Sequence, residues 1–225
     1  MVTSAAGEHS PRRLIRSENQ VTEMDSIEGF ILAGGASSRM GTDKARLRLE
    51  GRSFVERIAS ALTAVSSAVI VVGQNLDGLR LDLTSVPDLY ENWGALGGVH
   101  AALMACRSEW AVVVACDLPF VTATLFARLA GLRESFEAVA PVQDDGIPQP
   151  LCSLYQVAPC LSRANSLIQS GERKPIALLQ SVRTRWVAAA ELADLDGAGQ
   201  FFDNINTPQD YARASKKGEE FRLPG

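Results

Sequence analysis

Leu32-Ala-Gly-Gly-Ala-Ser-Ser-Arg-Met-Gly-Thr-Asp-Lys44 begins inside the apolar run Gly29-Phe-Ile-Leu-Ala33. A short buried strand that opens directly into a Gly/Ser-rich loop is the arrangement in which backbone N–H groups meet an anion. Gly34 and Gly35 permit positive φ and put no Cβ in a ligand's way. Ser37 and Ser38 add hydroxyl donors, and Arg39 and Lys44 add the positive charge that a triphosphate needs. The spacing is not that of a Walker A loop: five residues separate Gly35 from Gly41, and the lysine comes three after Gly41. The dinucleotide fingerprint G-x-G-x-x-G is absent too, which argues against a dinucleotide-dependent oxidoreductase.

Outward from this loop, apolar runs alternate with segments of helical period, the pattern of an α/β fold with a mostly parallel sheet. Ser53 and Glu56 form a capping box that opens a helix through Phe54, Ile58, Leu62 and Val65. Residues 68–72 (Ala-Val-Ile-Val-Val) read as a fully buried strand, and 73–98 as a looser region holding Asp88. A short helix is expected from about 99 to 107. The clearest strand is Trp110-Ala-Val-Val-Val-Ala-Cys116, which stops at Asp117. Thr122 caps the next helix, carrying Leu125, Phe126 and Leu129. Strands follow at 138–142 and 151–155, helices near 160–169 and 175–180, and a strand from about 183 containing Trp186 and Val187. Thr207 and Pro208 stand at the N-cap and first position of a last helix. Ligands of open α/β sheets sit beyond the carboxyl ends of the strands, so the loops after Ala33, Val72 and Cys116 are expected to share one face.

The 225 residues suit a single domain, expected at 27–215 between a flexible N-terminal tail (1–26) and a flexible C-terminal tail (216–225). A net charge of −4 does not favour nucleic acid or an anionic membrane as partner. No run of about 18 apolar residues is present, and no apolar stretch follows Arg12-Arg13, so a cytoplasmic protein is expected. Cys106, Cys116, Cys152 and Cys160 form no C-x-x-C pair, which points to neither zinc nor redox chemistry. With His9 and His100 as the only histidines, a mechanism built on several histidines is effectively excluded.

Asp117, at the end of the strongest strand, can hold Mg²⁺ while nucleotide phosphates complete its octahedron, or can simply shape the turn before Leu118-Pro119. Asp88, taken alone, reads as a solvated turn residue. Asn204 and Asn206 read equally well as braces of the turn before the last helix. Arg173 and Lys174, behind Gly171, read as solvated charges with a weaker reading as phosphate attractors.

The loop resembles the signature of nucleotidyltransferases related to molybdenum cofactor guanylyltransferase, L-A-G-G-x-S-x-R-M-G-x-D-K, at every specified position. The resemblance spans roughly 27–214. Gly94-Ala-Leu-Gly-Gly98 looks like that family's G-P-L-x-G, with Ala95 for Pro. Cys116-Asp-Leu-Pro-Phe120 looks like its C-D-x-P-F, and Phe202-Asp-Asn-Ile-Asn-Thr-Pro208 like its F-x-N-x-N-T-P. Gly73 stands where some members have Asn near the base. The resemblance implies a Rossmann-like three-layer nucleotidyltransferase fold and transfer of GMP from GTP to the phosphate of molybdenum-molybdopterin, with transient contacts to other molybdenum cofactor proteins. It implies nucleotide contacts from Leu32, Ala33, Gly34, Gly35, Lys44, Asp88 and Asp117, and catalytic roles for Lys44, Arg39 and Asp117. Asp117 would be the Mg²⁺ ligand, with Asn204 and Asn206 near the acceptor. Transfer of CMP, a different phosphorylated acceptor, or nucleotide binding without catalysis remain the alternatives.

Overall fold

The computed structural model describes residues 27–33, 47–73, 83–88, 90 and 93–220. Its centre is strand β1 (Ile27–Leu32), with all six residues buried. A strand buried on both faces must find apolar partners on both, and the alternation of side chains supplies them. Ile27 and Ile31 point into one core and Phe30 and Leu32 into the other.

On one side of β1 lie β4 (Val69–Val72) and then β5 (Thr84–Val86), both parallel. On the other side lies β6 (Trp110–Ala115), parallel as well. Beyond it come β8 (Cys152–Gln156), β7 (Ala138–Val142) and β9 (Thr184–Ala188). Strand β8 is antiparallel to both neighbours, while β7 and β9 pair in parallel. Six of the seven strands therefore run the same way, and β8 alone is reversed.

Helices α1 (Phe54–Thr63) and α3 (Ala123–Gly131) cover one face. Helices α2 (Ala95–Ala105), α4 (Val157–Gln169) and α5 (Pro175–Gln180) cover the other. Three layers result. Each fully buried Leu, Ile, Val or Phe at these two interfaces contributes roughly 1.5–3 kcal/mol. A third, smaller core lies at the carboxyl edge of the sheet. It joins a two-stranded hairpin, β2 (Arg48–Leu49) and β3 (Arg52–Ser53), to the last helix, α6 (Pro208–Glu220).

The predicted caps are present. Ser53 Oγ accepts from Glu56 N at 3.1 Å, and Glu56 Oε2 accepts from Ser53 N at 2.6 Å. Thr122 accepts from Leu125 N. Thr207 and Asp210 cap each other reciprocally, with Asp in the place that Glu usually takes.

Three expectations need correction. Strand β4 is only half buried, because Val69 and Ile70 keep partial exposure next to the short edge strand β5. Strand β5 lies within the region expected to be loop, since Thr84 and Ser85 are exposed and carry no apolar alternation. Helix α2 starts at Ala95 rather than near 99. Gly97 and Gly98 looked like loop residues, but they serve close packing. A Cβ on Gly98 would lie 3.2 Å from Leu32 Cδ1, and one on Gly97 would lie 3.1 Å from Trp93 Cβ.

Candidate active site

Parallel strands bring their carboxyl ends to one edge, and the ladder continues past the strands there. Ala33 N donates to Val72 O at 2.9 Å, Gly73 N to Val86 O at 2.9 Å, and Cys116 N to Leu32 O at 3.0 Å. Ala33, Gly73 and Cys116, at the ends of these strands, thus lie side by side at one edge. Leu32 and Ala33 are the last described residues before the glycine-rich segment. Gly34, Gly35, Arg39 and Lys44 lie outside the described residues.

Asp117 leaves from the strand beside β1, with Leu32 in register with Ala115. Its turn is pinned from several directions. Leu118 N donates back to Ala115 O, and the Leu118 side chain is fully buried. Ile205 N donates to Asp117 O at 3.0 Å. Arg57 Nε, on α1, donates to Pro119 O at 3.2 Å. Ile205 is buried between Asn204 and Asn206, which are both exposed. The alternation that buries Ile205 therefore turns both amides outward beside the Asp117 turn. Among the described residues this joins three predicted positions, Asp117, Asn204 and Asn206, into one surface.

Asp88 follows β5, three strands from β6. Its Oδ1 accepts from Tyr90 N at 3.1 Å, an Asx turn. It lies on the same edge as Asp117 but about 14 Å away by strand spacing.

The glycine segment 94–98 sits at the start of α2, beside Leu32. Gly94 takes φ +77, and Leu96 N donates to Arg173 O at 3.3 Å. Arg173 lies over the Trp93 ring, 4.9 Å from its centroid, and Trp93 Nε1 donates to Glu172 O. Arg173 thus straps the 172–174 loop to the start of α2 rather than standing free in solvent. The Glu172 carboxyl is held below its usual range, chiefly by the Lys174 and Arg173 amides. His100 is buried, 2.7 Å from Asn165 Oδ1, and packs edge-on to Tyr90. It is a packing residue.

Among the described residues no group of three His, Cys, Asp or Glu could hold a metal by itself. A single hard carboxylate at Asp117 fits a Mg²⁺-like ion that draws its remaining oxygens from phosphate and water. It does not fit a thiolate- or imidazole-bound metal. Burial pushes the thiols of Cys106, Cys152 and Cys160 up to about 12, so none of these three is a nucleophile.

A concavity of about 220 Å³ opens beyond the ends of β7 and β9. Phe202, Leu192 and Ala198 form its apolar side, with Asp144, Asp145 and Asp203 among its polar lining. Phe202 and Asp203 lead directly into Asn204. Sequence reasoning missed this cleft, and also missed Glu50, Arg57 and Ile205 as supports of the Asp117 turn. Arg57 and Ile205 meet that turn from 62 and 88 residues away, so no local pattern marks them.

No helix among the described residues is long and apolar enough to cross a membrane. The chain matches the model of the MobA-like NTP transferase domain over residues 29–185. A probable molybdenum cofactor guanylyltransferase of Pelotomaculum thermopropionicum is 34% identical over 195 residues, covering 86% of this chain and 94% of the relative. A molybdenum cofactor guanylyltransferase of Desulfosudis oleivorans is 31% identical, covering 85% and 95%. Among solved structures, molybdopterin-guanine dinucleotide biosynthesis protein A of Archaeoglobus fulgidus superposes with a TM-score of 0.73 at 26% identity, over 86% of this chain and 99% of that one. The 2-C-methyl-D-erythritol 4-phosphate cytidylyltransferase of Thermus thermophilus shares the fold, with a TM-score of 0.63 at 19% identity, over 86% and 99%. A family model matched over residues 29–185 and a relative 34% identical over 94% of its length make this chain a nucleotidyltransferase of the MobA-like NTP transferase family.

Proposed function

We propose that the protein transfers GMP from GTP to the terminal phosphate of molybdenum-molybdopterin, releasing pyrophosphate and forming the guanine dinucleotide cofactor. The observation that carries this reading is the hydrogen bond from Cys116 N to Leu32 O. It sets the start of the glycine-rich loop against the start of the Asp117 turn, so one ligand can touch both.

In this reading the triphosphate lies over Gly34, Gly35 and Lys44, with Arg39 adding charge. Leu32, Ala33 and Asp88 contact the nucleoside. The span from β5 to β6, about 14 Å, suits an extended nucleotide. Asp117 holds Mg²⁺, which when bound neutralises phosphate charge. An acceptor phosphate oxygen attacks the α-phosphorus, the α–β bridging bond breaks, and its electron pair leaves with pyrophosphate. The attacking oxygen is already anionic, so no general base is needed. That agrees with an edge where the one described histidine is a packing residue. Catalysis then consists of positioning and charge stabilisation.

Asn204 and Asn206 face the acceptor in this reading, and the cleft beyond β7 and β9 receives its pterin. Carboxylates around an apolar floor are complementary to the N–H-rich edge of such a ring. The reaction is assigned to the cytoplasm, with the product handed on by brief contact with other molybdenum cofactor proteins.

Purified protein with GTP, Mg²⁺ and molybdenum-molybdopterin should release pyrophosphate and incorporate GMP, with CTP a poor substitute. Equal use of CTP would move the assignment to a cytidylyl relative. Binding without pyrophosphate release would leave a nucleotide-binding protein and end the catalytic reading. Lys44→Ala should lower the rate by about 10²–10³, the loss expected when one donor to a developing charge is removed.

A further inference from the structure

Hairpin β2–β3 turns through Glu50 and Gly51, with φ +51 and +81. Two positive-φ residues in a two-residue connection make the turn that favours Asn-Gly or Asp-Gly. Glu is a poor choice at the first of them, since a left-handed φ strains a residue with a long side chain. Nothing in the hairpin's own pairing calls for it.

The Glu50 side chain reaches outside the hairpin. Its Oε2 lies 3.0 Å from Arg57 NH1, and the same guanidinium donates through Nε to Pro119 O. Arg57 is half buried on the first turns of α1 and Glu50 is more exposed. A guanidinium can bridge two acceptors in fixed directions because it is planar and carries several N–H groups. Its two partners belong to different segments, the β2–β3 hairpin and the turn that follows Asp117. Leu47, where the hairpin begins, stands three residues after Lys44. Pro119 stands two residues after Asp117. The same two parts also meet through packing: Leu49, Phe54 and Ile205 form a small core with Leu47, Phe120 and Tyr211 against it. Tyr211 OH additionally donates to Arg48 O at 2.6 Å.

We infer that Glu50 and Arg57 are positioning residues: together they hold the turn of Asp117 in place against the β2–β3 hairpin. This rests on the proposed reading of Asp117. Backbone preference at residue 50 is sacrificed so that its carboxylate can fix Arg57, and Arg57 fixes the Pro119 carbonyl.

The test uses the full chain and three variants, Glu50→Asn, Arg57→Lys and Arg57→Met. The readouts are the unliganded Tm, calorimetric GTP affinity across a Mg²⁺ titration, and kcat against KM. Asn suits the turn, so Glu50→Asn should match or exceed the parent Tm. It should nevertheless raise the Mg²⁺ concentration for half-maximal GTP binding by about tenfold, the usual scale when a group supporting a metal ligand is lost. Arg57→Met should show a larger shift. Arg57→Lys should fall between parent and Met, since one ammonium cannot hold both acceptors in the same geometry. The effect should be in Mg²⁺ requirement and kcat more than in KM for the acceptor. A Glu50→Asn protein with lowered Tm and an unchanged Mg²⁺ midpoint would make the pair a purely structural contact and overturn the inference. So would an Arg57→Met protein that binds and turns over like the parent. If the parent itself shows no Mg²⁺-dependent GTP binding, the proposed function falls and the inference falls with it. A dependent parent with unaffected variants sinks the positioning role alone.

Discussion

Asp117 and Asp88 both follow a parallel strand, on the same edge of the same sheet, each within two residues of a proline. Their surroundings differ. The Asp117 turn receives hydrogen bonds from Ile205, 88 residues later, and from Arg57, 60 residues earlier, and it rests on the buried side chain of Leu118. Asp88 is held by a bond to the amide two residues on, at the end of an exposed edge strand. A carboxylate that must present its oxygens to a phosphate-bound ion gains from being fixed before the ligand arrives. A carboxylate that touches a nucleoside from one side can be ordered by a local turn. Under the proposed function the difference in anchoring ranks the two acids, with Asp117 central and Asp88 accessory.

That ranking can be broken by mutation. Asp117→Asn keeps the side-chain shape and removes the charge. Turnover should fall by about 10²–10³ with little change in Tm, as when a group that stabilises developing charge is lost. Steady-state rates together with a thermal melt check this, and a protein that melts without losing specific activity would make Asp117 a turn residue. Ile205→Ala attacks the anchoring instead. Burial of Ile205 in the third core predicts a destabilisation of about 2–5 kcal/mol, measurable by urea titration. An Ile205→Ala protein with the parent's stability would show that the Asn204–Asn206 segment is not held as described.

Asp88→Ala should be milder. Losing one turn hydrogen bond removes about 0.5–1.5 kcal/mol, and GTP affinity should fall by no more than about tenfold. A loss equal to that of Asp117→Asn would reverse the ranking.

Asp210 supplies the smallest effect and tests the cap of α6 rather than the Asp117 turn. Hydrogen bonds from Thr207, then Arg213, hold its carboxyl at about 2, down from 3.8. The folded value is the lower one, so its stabilisation is present above pH 4 and is lost as pH falls toward 2. Asp210→Asn should flatten that part of an acid-unfolding curve while leaving nucleotide binding unchanged. A weaker affinity for GTP in this variant would bring α6 into the site itself.

Local signals made most of the fold legible. Ser53 with Glu56, Thr122 before Leu125, and Thr207 before Pro208 each announced a helix, because a cap acts within four residues. The runs at 29–33 and 110–116 announced central strands, because a strand buried on both faces has no polar alternation. Where the reading failed, a distant neighbour had set the outcome. Gly97 and Gly98 look like loop until Trp93 and Leu32 are seen pressed against them. Thr84 and Ser85 carry no strand signal, and they pair only because β4 offers an open edge.

The candidate site divides along the same line. The string from Leu32 to Lys44 and the acid at the end of the Trp110 strand were readable residue by residue, since phosphate and metal chemistry narrow the choice of side chains. Sequence by itself determined the family and the chemistry class, and it nominated the residues proposed to carry that chemistry. Tertiary structure alone decided that β1 and β6 lie side by side, that Ile205 and Arg57 converge on one turn, and that a strained Glu50 has a use. Chain order carries no information about which strands become neighbours or which carbonyl a guanidinium will find 62 residues away. Those pairings exist only once two cores have closed over the sheet.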